Sequence, residues 1–250
     1  SIGKQVPRQK LNFLELFSRF REVGIIVFIA ILVVAVSLRA PSFFTINNLT
    51  DILMNISIMI IVAMAQTMVI LTGGIDLSVS SVIGLVAMMV GFTLSVNSGI
   101  PDIAAVLLGI ALGAVLGTFN GLIITVGKVP PIIATLGTLS IYRGLVFFYS
   151  QGTWINAFEL PQSVKLLSKG KPLGVPNLII IALLIAALTF IFLKFTRVGR
   201  NIYAVGSNAD AAEFAGIRPQ RIKLLVYVLS GLISGLAGVL WLSRFESAQT

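Results

Sequence analysis

Pro176-Asn177-Leu178-Ile179-Ile180-Ile181-Ala182-Leu183-Leu184-Ile185-Ala186-Ala187-Leu188-Thr189-Phe190-Ile191-Phe192-Leu193-Lys194-Phe195 carries a single charge, Lys194, near its far end. Polar and apolar residues do not alternate along it, so it is not a half-buried strand. About 20 such residues, coiled at ~1.5 Å each, cross the ~30 Å hydrocarbon core of a bilayer. Stretches of the same kind recur at Glu22–Leu38, Ile52–Leu71, Leu77–Val96, Ile103–Val126, Ile132–Ser150 and Leu224–Ser243. Together they predict about seven transmembrane helices. The chain of 250 residues is 57% hydrophobic and 11% charged, with mean hydropathy +1.02. A soluble domain of this size needs a far more charged surface, and a transmembrane barrel would show shorter, alternating segments. The fold class is therefore all-α: a polytopic integral membrane helical bundle, one transmembrane domain over residues 1–250.

The basic residues orient it. With the N-terminus in the cytoplasm, the inside receives Lys4, Arg8, Lys10, Arg19, Arg21, Lys128, Lys194, Arg197, Arg200, Arg218, Arg221 and Lys223. The outside receives Arg39, Lys165, Lys169 and Lys171. That excess inside follows the usual bias of membrane proteins. Residues 1–21 then form a cytoplasmic basic N-terminus, and 197–223 a cytoplasmic loop. Glu15 and Glu22 interleave with the first bases and no small-residue cleavage site follows, so the first span reads as a signal anchor. Arg143 and Arg244 fall within or near spans and do not bear on orientation. The longest outside connection, Gln151–Val175, carries Trp154, Pro161, Pro172 and Gly174. It reads mostly as interfacial anchor and cover.

Composition excludes much chemistry. The chain has no Cys and no His, which removes thiol nucleophiles, disulfides and His-based acid/base work and argues against a zinc site. The net charge of +9 belongs with basic loops at a membrane rather than with nucleic acid. Gly127-Lys128-Val129 and Gly170-Lys171-Pro172 lack the glycine spacing and the Ser/Thr of a phosphate-binding loop. No cofactor or metal is expected on this chain.

Four motifs remain. Ser207–Gly216 reads as a short capped helix: Ser207 with Asp210 fits a capping box, Asn208 is a second candidate cap, and Gly216 suits a left-handed end before Pro219. Two turns are too short to be stable alone in water, so the element is either a connector on the membrane or a docking helix. In the second case Phe214, Ala211, Ala212 and Ala215 form the buried face, with Asp210 and Glu213 at the favourable end of the dipole. Next, Asp76 stands in Gly73-Gly74-Ile75-Asp76-Leu77-Ser78 between two long uncharged runs. An acid at that depth faces water or a polar interior. It caps the helix that restarts, lines a substrate path at a broken helix, or both. Third, Gly109, Gly113, Gly117 and Gly121 form a smooth stripe on one span, and Gly231, Gly235 and Gly238 a similar one on the last. Such stripes let helices pack closely. Finally, Asn120, Thr125, Thr135 and Thr138 add polarity to the spans flanking Pro130-Pro131, either along a path or bonded to helix backbones.

At these residues the chain resembles the ribose-type family of ABC sugar-import permeases. The resemblance rests on Gly73-Gly74-Ile75-Asp76-Leu77-Ser78-Val79, on Asn120-Gly121 through Lys128-Val129-Pro130-Pro131-Ile132-Ile133-Ala134-Thr135-Leu136-Gly137-Thr138, on Gly199-Arg200-Asn201-Ile202-Tyr203-Ala204-Val205-Gly206-Ser207-Asn208 through Ala215-Gly216-Ile217, and on Leu229-Ser230-Gly231 with Gly235-Leu236-Ala237-Gly238. It covers the chain from about Leu49 onward; Ser80 stands where the family usually has Gly. Gly152-Thr153-Trp154-Ile155 and Ser243-Arg244-Phe245-Glu246 are most similar to the branch importing rhamnose or a furanosyl autoinducer. The family continues beyond residue 250 with further spans, so this sequence reads as a piece of a longer chain. The resemblance implies an inner-membrane permease paired with a second copy or a paralogue. It implies two cytoplasmic subunits that bind ATP and Mg, and a sugar-binding protein outside. It makes Asn208–Gly216 the coupling helix. Gly73, Gly74, Asp76, Ser78, Asn120 and Thr135 are the residues expected along the path. The rival reading is a proton-coupled carrier working through Asp76, which lacks a His or Lys relay.

Overall fold

The computed structural model describes residues 21–97 and 99–249; the basic N-terminus expected over 1–21 lies outside them but for Arg21. The described helices are α1 (Arg21–Arg39), α2 (Ile46–Leu71), α3 (Val79–Val96), α4 (Asp102–Thr125), α5 (Pro131–Ser150), α6 (Gln162–Lys169), α7 (Asn177–Phe195), α8 (Arg197–Ser207), α9 (Ala209–Phe214) and α10 (Pro219–Phe245). Six of these, α2, α3, α4, α5, α7 and α10, are long and apolar enough to cross a membrane, and α1 is apolar over the shorter stretch Val23–Arg39. The fold is a helical membrane bundle, as the uncharged runs predict. Two helices start earlier than hydropathy suggests: α2 at Ile46 rather than Ile52, and α10 at Pro219 rather than Leu224. Asn47, Asn48 and Asp51, and likewise Gln220, Arg221 and Lys223, lower the local hydropathy, yet polar residues are compatible with a helix that runs on past the hydrocarbon.

Packing divides the chain at Ile52. In the first unit α1 is followed by a 3-10 turn, Pro41–Phe44. Thr45 Oγ1 donates to the Ser42 carbonyl, and the Asn48 side chain donates to the carbonyl of Phe43 at 2.7 Å.

The second unit, from Leu53 onward, is built around α10. Its glycine stripe meets the stripe of α4, and the two helices run antiparallel. A Cβ on Gly113 would lie 2.2 Å from the Gly231 carbonyl oxygen and 2.6 Å from the Gly235 Cα. One on Gly117 would lie 2.4 Å from the Tyr227 oxygen, and one on Gly109 3.3 Å from the Gly235 oxygen. Backbone therefore touches backbone along three turns. α3 packs on the neighbouring face of α10, where a Cβ on Gly238 would come within 2.9 Å of the Ile83 oxygen. α5 closes against α3 through Tyr142 and Val146, which share a buried cluster with Val82, Leu85, Val86 and Leu242.

One end of this unit collects residues 97, 99–101, 151–176 and 246–249. The amphipathic α6 lies across it, tied down by the buried hydroxyl of Ser243. That oxygen donates to the Val164 carbonyl at 2.6 Å and accepts from the Ser168 backbone N–H at 2.9 Å. Ile155 and Ala248 exchange two backbone bonds as an isolated antiparallel bridge. Glu246 closes the arrangement between Lys169, which donates to its carboxylate, and Lys165 at 3.5 Å. The opposite end collects 72–78, 126–130 and 196–218.

Two outcomes test this packing. Gly113→Ala forces α4 and α10 apart and lowers stability by about 1–3 kcal/mol, the usual cost of overpacking. Gly137→Ala, where nothing lies within 4 Å of the added carbon, leaves thermal unfolding in detergent unchanged or improved. Equal unfolding temperatures for the two variants would count against the stripe as the main contact. The second outcome concerns Glu246, whose carboxyl the Lys169 ammonium holds below the usual glutamate range, with Lys165 adding to the effect. Because its folded value is depressed, its contribution is complete above the ordinary value of about 4.3 and is lost as pH falls through the lowered one. Trp154 emission, read in a Trp241→Phe background, should shift as pH falls below the ordinary glutamate value. Glu246→Gln should remove that transition; a transition that survives the substitution would show that another group controls the loop.

Candidate functional site

The site begins where α2 stops. Gly73, with φ +74°, turns the chain out of the helix, and the Gly74 N–H bonds back to the Val69 carbonyl at 3.0 Å. Thr72 and Gly73 make the turn, and 74–77 form no helix before α3 restarts: Thr72, Gly74, Asp76 and Ser78 are buried while Gly73, Ile75 and Leu77 are exposed. The segment folds back along α2. Gln66, two to three turns before the Asp76 position in sequence, donates to the Asp76 carbonyl at 2.7 Å, and Thr135 on α5 donates to the carbonyl of Ile75 at 3.3 Å. Backbone without helical bonds inside a membrane protein needs such partners.

Asp76 is 7% exposed. Its Oδ1 accepts from the Ser78 N–H at 3.0 Å and from the Ser78 hydroxyl at 2.6 Å. The carboxylate thus caps the restart of α3. Ser78 occupies the N-cap position, but its own hydroxyl makes no cap bond. It accepts instead from the Asn120 amide at 2.7 Å. Asn120 Oδ1 accepts from the Tyr142 hydroxyl at 3.2 Å, a proton shared with the Leu116 carbonyl at 2.9 Å. A chain of polar groups, Asp76–Ser78–Asn120–Tyr142, therefore links the fold-back to α4 and α5, with Asn120 wholly buried. The Tyr227 hydroxyl lies against Gly74, 2.8 Å from where a Cβ would stand, and has no hydrogen-bond partner among the described residues. Gly73, Gly74, Asp76, Ser78, Asn120 and Thr135 all fall in this one region. Gln66, Tyr142 and Tyr227 belong to it and were not singled out from the sequence.

Two cavities flank the first turns of α3 and share Ser80, Gly84 and Gln249. The larger, about 690 Å³, is mostly apolar, with Ile58, Met59 and Trp241 among its walls. The smaller, about 360 Å³, is lined by Ser80, Ser81, Arg143, Val146 and Phe147. Both lie in the size range of small-molecule sites. Arg143 stands past the middle of α5, on the exposed side next to the buried Tyr142. A guanidinium at that depth faces a cavity, not lipid. Its place inside an otherwise apolar span is the signal that marks it in the sequence.

At the same end as the fold-back lies the α8–α9 element. Thr196 caps α8, accepting from the Gly199 N–H at 2.9 Å, and Ile202 and Val205 bury its apolar face. Gly206 sits so close to α2 that an added Cβ would come 1.6 Å from the Leu71 oxygen. α9 follows after a corner. Its cap is Asn208, whose side chain accepts from the Ala211 N–H at 2.9 Å, and not Ser207, which is the last residue of α8. Ser207 cannot both complete α8 and adopt the non-helical cap geometry. Gly216, with φ +83°, ends the element as its composition predicts. Ala212 packs inward, while Phe214 is 93% exposed and projects beside Asp210 and Glu213.

Residues 48–250 match the family described as the permease component of branched-chain amino acid transport systems. The chain belongs to that permease family. Over 219 residues it is 39% identical to the ribose import permease protein RbsC of Bacillus subtilis (strain 168), covering 88% of this chain and 67% of that one. The RbsC of Escherichia coli (strain K12) is 38% identical over 221 residues, 88% of this chain and 68% of the relative. The autoinducer 2 import system permease protein LsrC of Photorhabdus laumondii is 35% identical over 232 residues, 92% and 68%. These likenesses place the permease among the ribose-type ABC sugar-import permeases. No solved structure gives a significant match.

The polar chain makes a prediction about the permease. Asn120→Leu removes the link between Ser78 and Tyr142 and should lower stability by about 1–2 kcal/mol. Tyr142→Phe, which leaves the Asn120–Ser78 bond in place, should cost less. Thermal unfolding in detergent reads both; a wild-type midpoint for Asn120→Leu would mean the chain of bonds contributes nothing.

Proposed function

We propose that this permease is the membrane subunit of a bacterial inner-membrane importer. It moves a small sugar or sugar-like molecule inward by ATP-driven alternating access. ATP and Mg are bound by two separate cytoplasmic subunits, and this chain binds no cofactor. A second permease copy or a paralogue completes the path, and an external sugar-binding protein delivers the cargo. The N-terminus is cytoplasmic, which puts Lys128, Lys194, Arg197, Arg200, Arg218, Arg221 and Lys223 inside with α8 and α9. The relatives are named for the import of ribose and of autoinducer 2. The Arg143, Ser80 and Ser81 side chains offer such a molecule donors and acceptors on its way through.

One observation carries the reading: a capped helix with an exposed phenylalanine is joined tightly to the buried turn that holds Asp76. α9 spans six residues, which cannot hold a helix in water unaided. Seating Phe214 in a groove on an ATP-binding subunit supplies the missing stabilisation. Movement of that subunit pushes α9, α9 carries α8, and α8 bears on Leu71 through Gly206. The fold-back with Asp76 and Ser78 then shifts against Asn120. Asn208, Asp210, Ala211, Ala212, Glu213, Phe214, Ala215 and Gly216 make up the coupling element.

The chain has no cysteine, so a single Cys at Phe214 can be tested against a clean background. With co-expressed ATP-binding subunits in membranes, it should form a crosslink whose yield changes with ATP. Phe214→Asp should abolish transport and the permease-stimulated ATPase activity while the permease still inserts. Transport at the wild-type rate in Phe214→Asp would sink the coupling role. A Cys that labels freely and never crosslinks, together with transport lost in Asp76→Asn, would favour the proton-coupled carrier.

A further inference from the structure

A second site lies at the corner between α7 and α8, away from Asp76 and from α9. α7 ends at Phe195, and Thr196 caps α8, which turns away from the line of the span. A recess of about 330 Å³ opens there, lined by Phe190, Leu193, Lys194, Arg200 and Tyr203. Its floor is apolar. Its rim is two cations and a phenol. The Lys194 ammonium lies 5.1 Å from the Phe190 ring centre and 5.5 Å from that of Phe195, so both rings hold it at the rim. Arg200 and Tyr203 stand three residues apart on α8 and so share a face.

We infer that this recess binds the headgroup of an anionic phospholipid. The reasons are geometric. α7 is the least buried of the six long apolar helices, with 22% of its apolar window inside the protein. Leu183, Leu184, Leu188 and Ile191 are exposed along it, leading to Phe190 and the recess. An acyl chain can follow that face while a phosphate meets Lys194, Arg200 and the Tyr203 hydroxyl at its foot. A free anion would use the rim and leave the apolar floor and the face above it without a role. The acids of this stretch, Asp210 and Glu213, line a different recess. The bias of basic residues toward one side of a membrane accounts for the charges. It does not account for their convergence over an apolar floor at the foot of a helix with an exposed apolar face. The site stands independently of how transport is powered.

The test is competition between lipids on the permease in detergent, read by native mass spectrometry. Phosphatidylglycerol and phosphatidylethanolamine are supplied in equal amounts. Wild type should retain phosphatidylglycerol with a preference of at least about five-fold, the equivalent of one cation near an anionic lipid. Lys194→Gln with Arg200→Gln should bring that preference close to one. Arg218→Gln with Arg221→Gln, the same change of charge at the same end of the unit but outside the recess, should leave it. A preference that persists without Lys194 and Arg200, or that falls equally in the control pair, overturns the site. Displacement of phosphatidylglycerol from wild type by inorganic phosphate alone also overturns it, in favour of a site for free phosphate.

Discussion

Backbone against backbone between α4 and α10 is the contact on which the rest of the second unit depends. Without side chains at Gly113, Gly117, Gly231 and Gly235, the two helices approach until carbonyl oxygens meet Cα atoms. In a bilayer, lipid tails are as apolar as leucine, so helices gain little by hiding apolar side chains from lipid, and close packing has to supply the attraction. The same approach brings Tyr227 up against Gly117 and Gly121 on one side and Gly74 on the other. The position of the fold-back is thus inherited from the crossing of two other helices.

What the fold-back needs is polar company. A non-helical segment among the spans leaves carbonyls that a helix would have satisfied, and Gln66 and Thr135 reach them from α2 and α5. Asp76 and Ser78 extend the same logic to side chains, through Asn120 to Tyr142. Broken backbone in a membrane protein is found where it is buried in protein or lines a cavity. Here the first condition holds at Thr72, Gly74, Asp76 and Ser78, and the helix that follows carries Ser80 and Ser81 to the cavity beside Arg143.

The spans are legible because each is a long uncharged run, and only the polar first turns of α2 and α10 escape a reading by hydropathy. The glycine stripes are legible as stripes, but their pairing with each other is not. Spacing of four is a property of one helix, whereas the partner is chosen by the whole bundle. Asp76 stands out as a lone acid. Its surroundings do not, because Gln66, Tyr142 and Tyr227 are ordinary polar residues on apolar helices, brought together only by the fold-back. The end of α8 shows the limit of local rules. Ser207 and Asn208 are both good caps, and the choice falls to the helix that α8 has already formed.

Two smooth antiparallel ridges have little sense of register. Gly113 now faces Gly235 and Gly117 faces Gly231; sliding α10 by one four-residue repeat, about 6 Å, would place Gly117 opposite Gly235 and Gly121 opposite Gly231, again small against small. Two things break this near-symmetry: Gly238 follows Gly235 by three residues instead of four, and Tyr227 stands where the next glycine of the series would be. The buried bond from Asn120 to Ser78 ties one ridge to a neighbour outside the pair. It works as a detent: the glycines make the track, and the polar groups choose the notch.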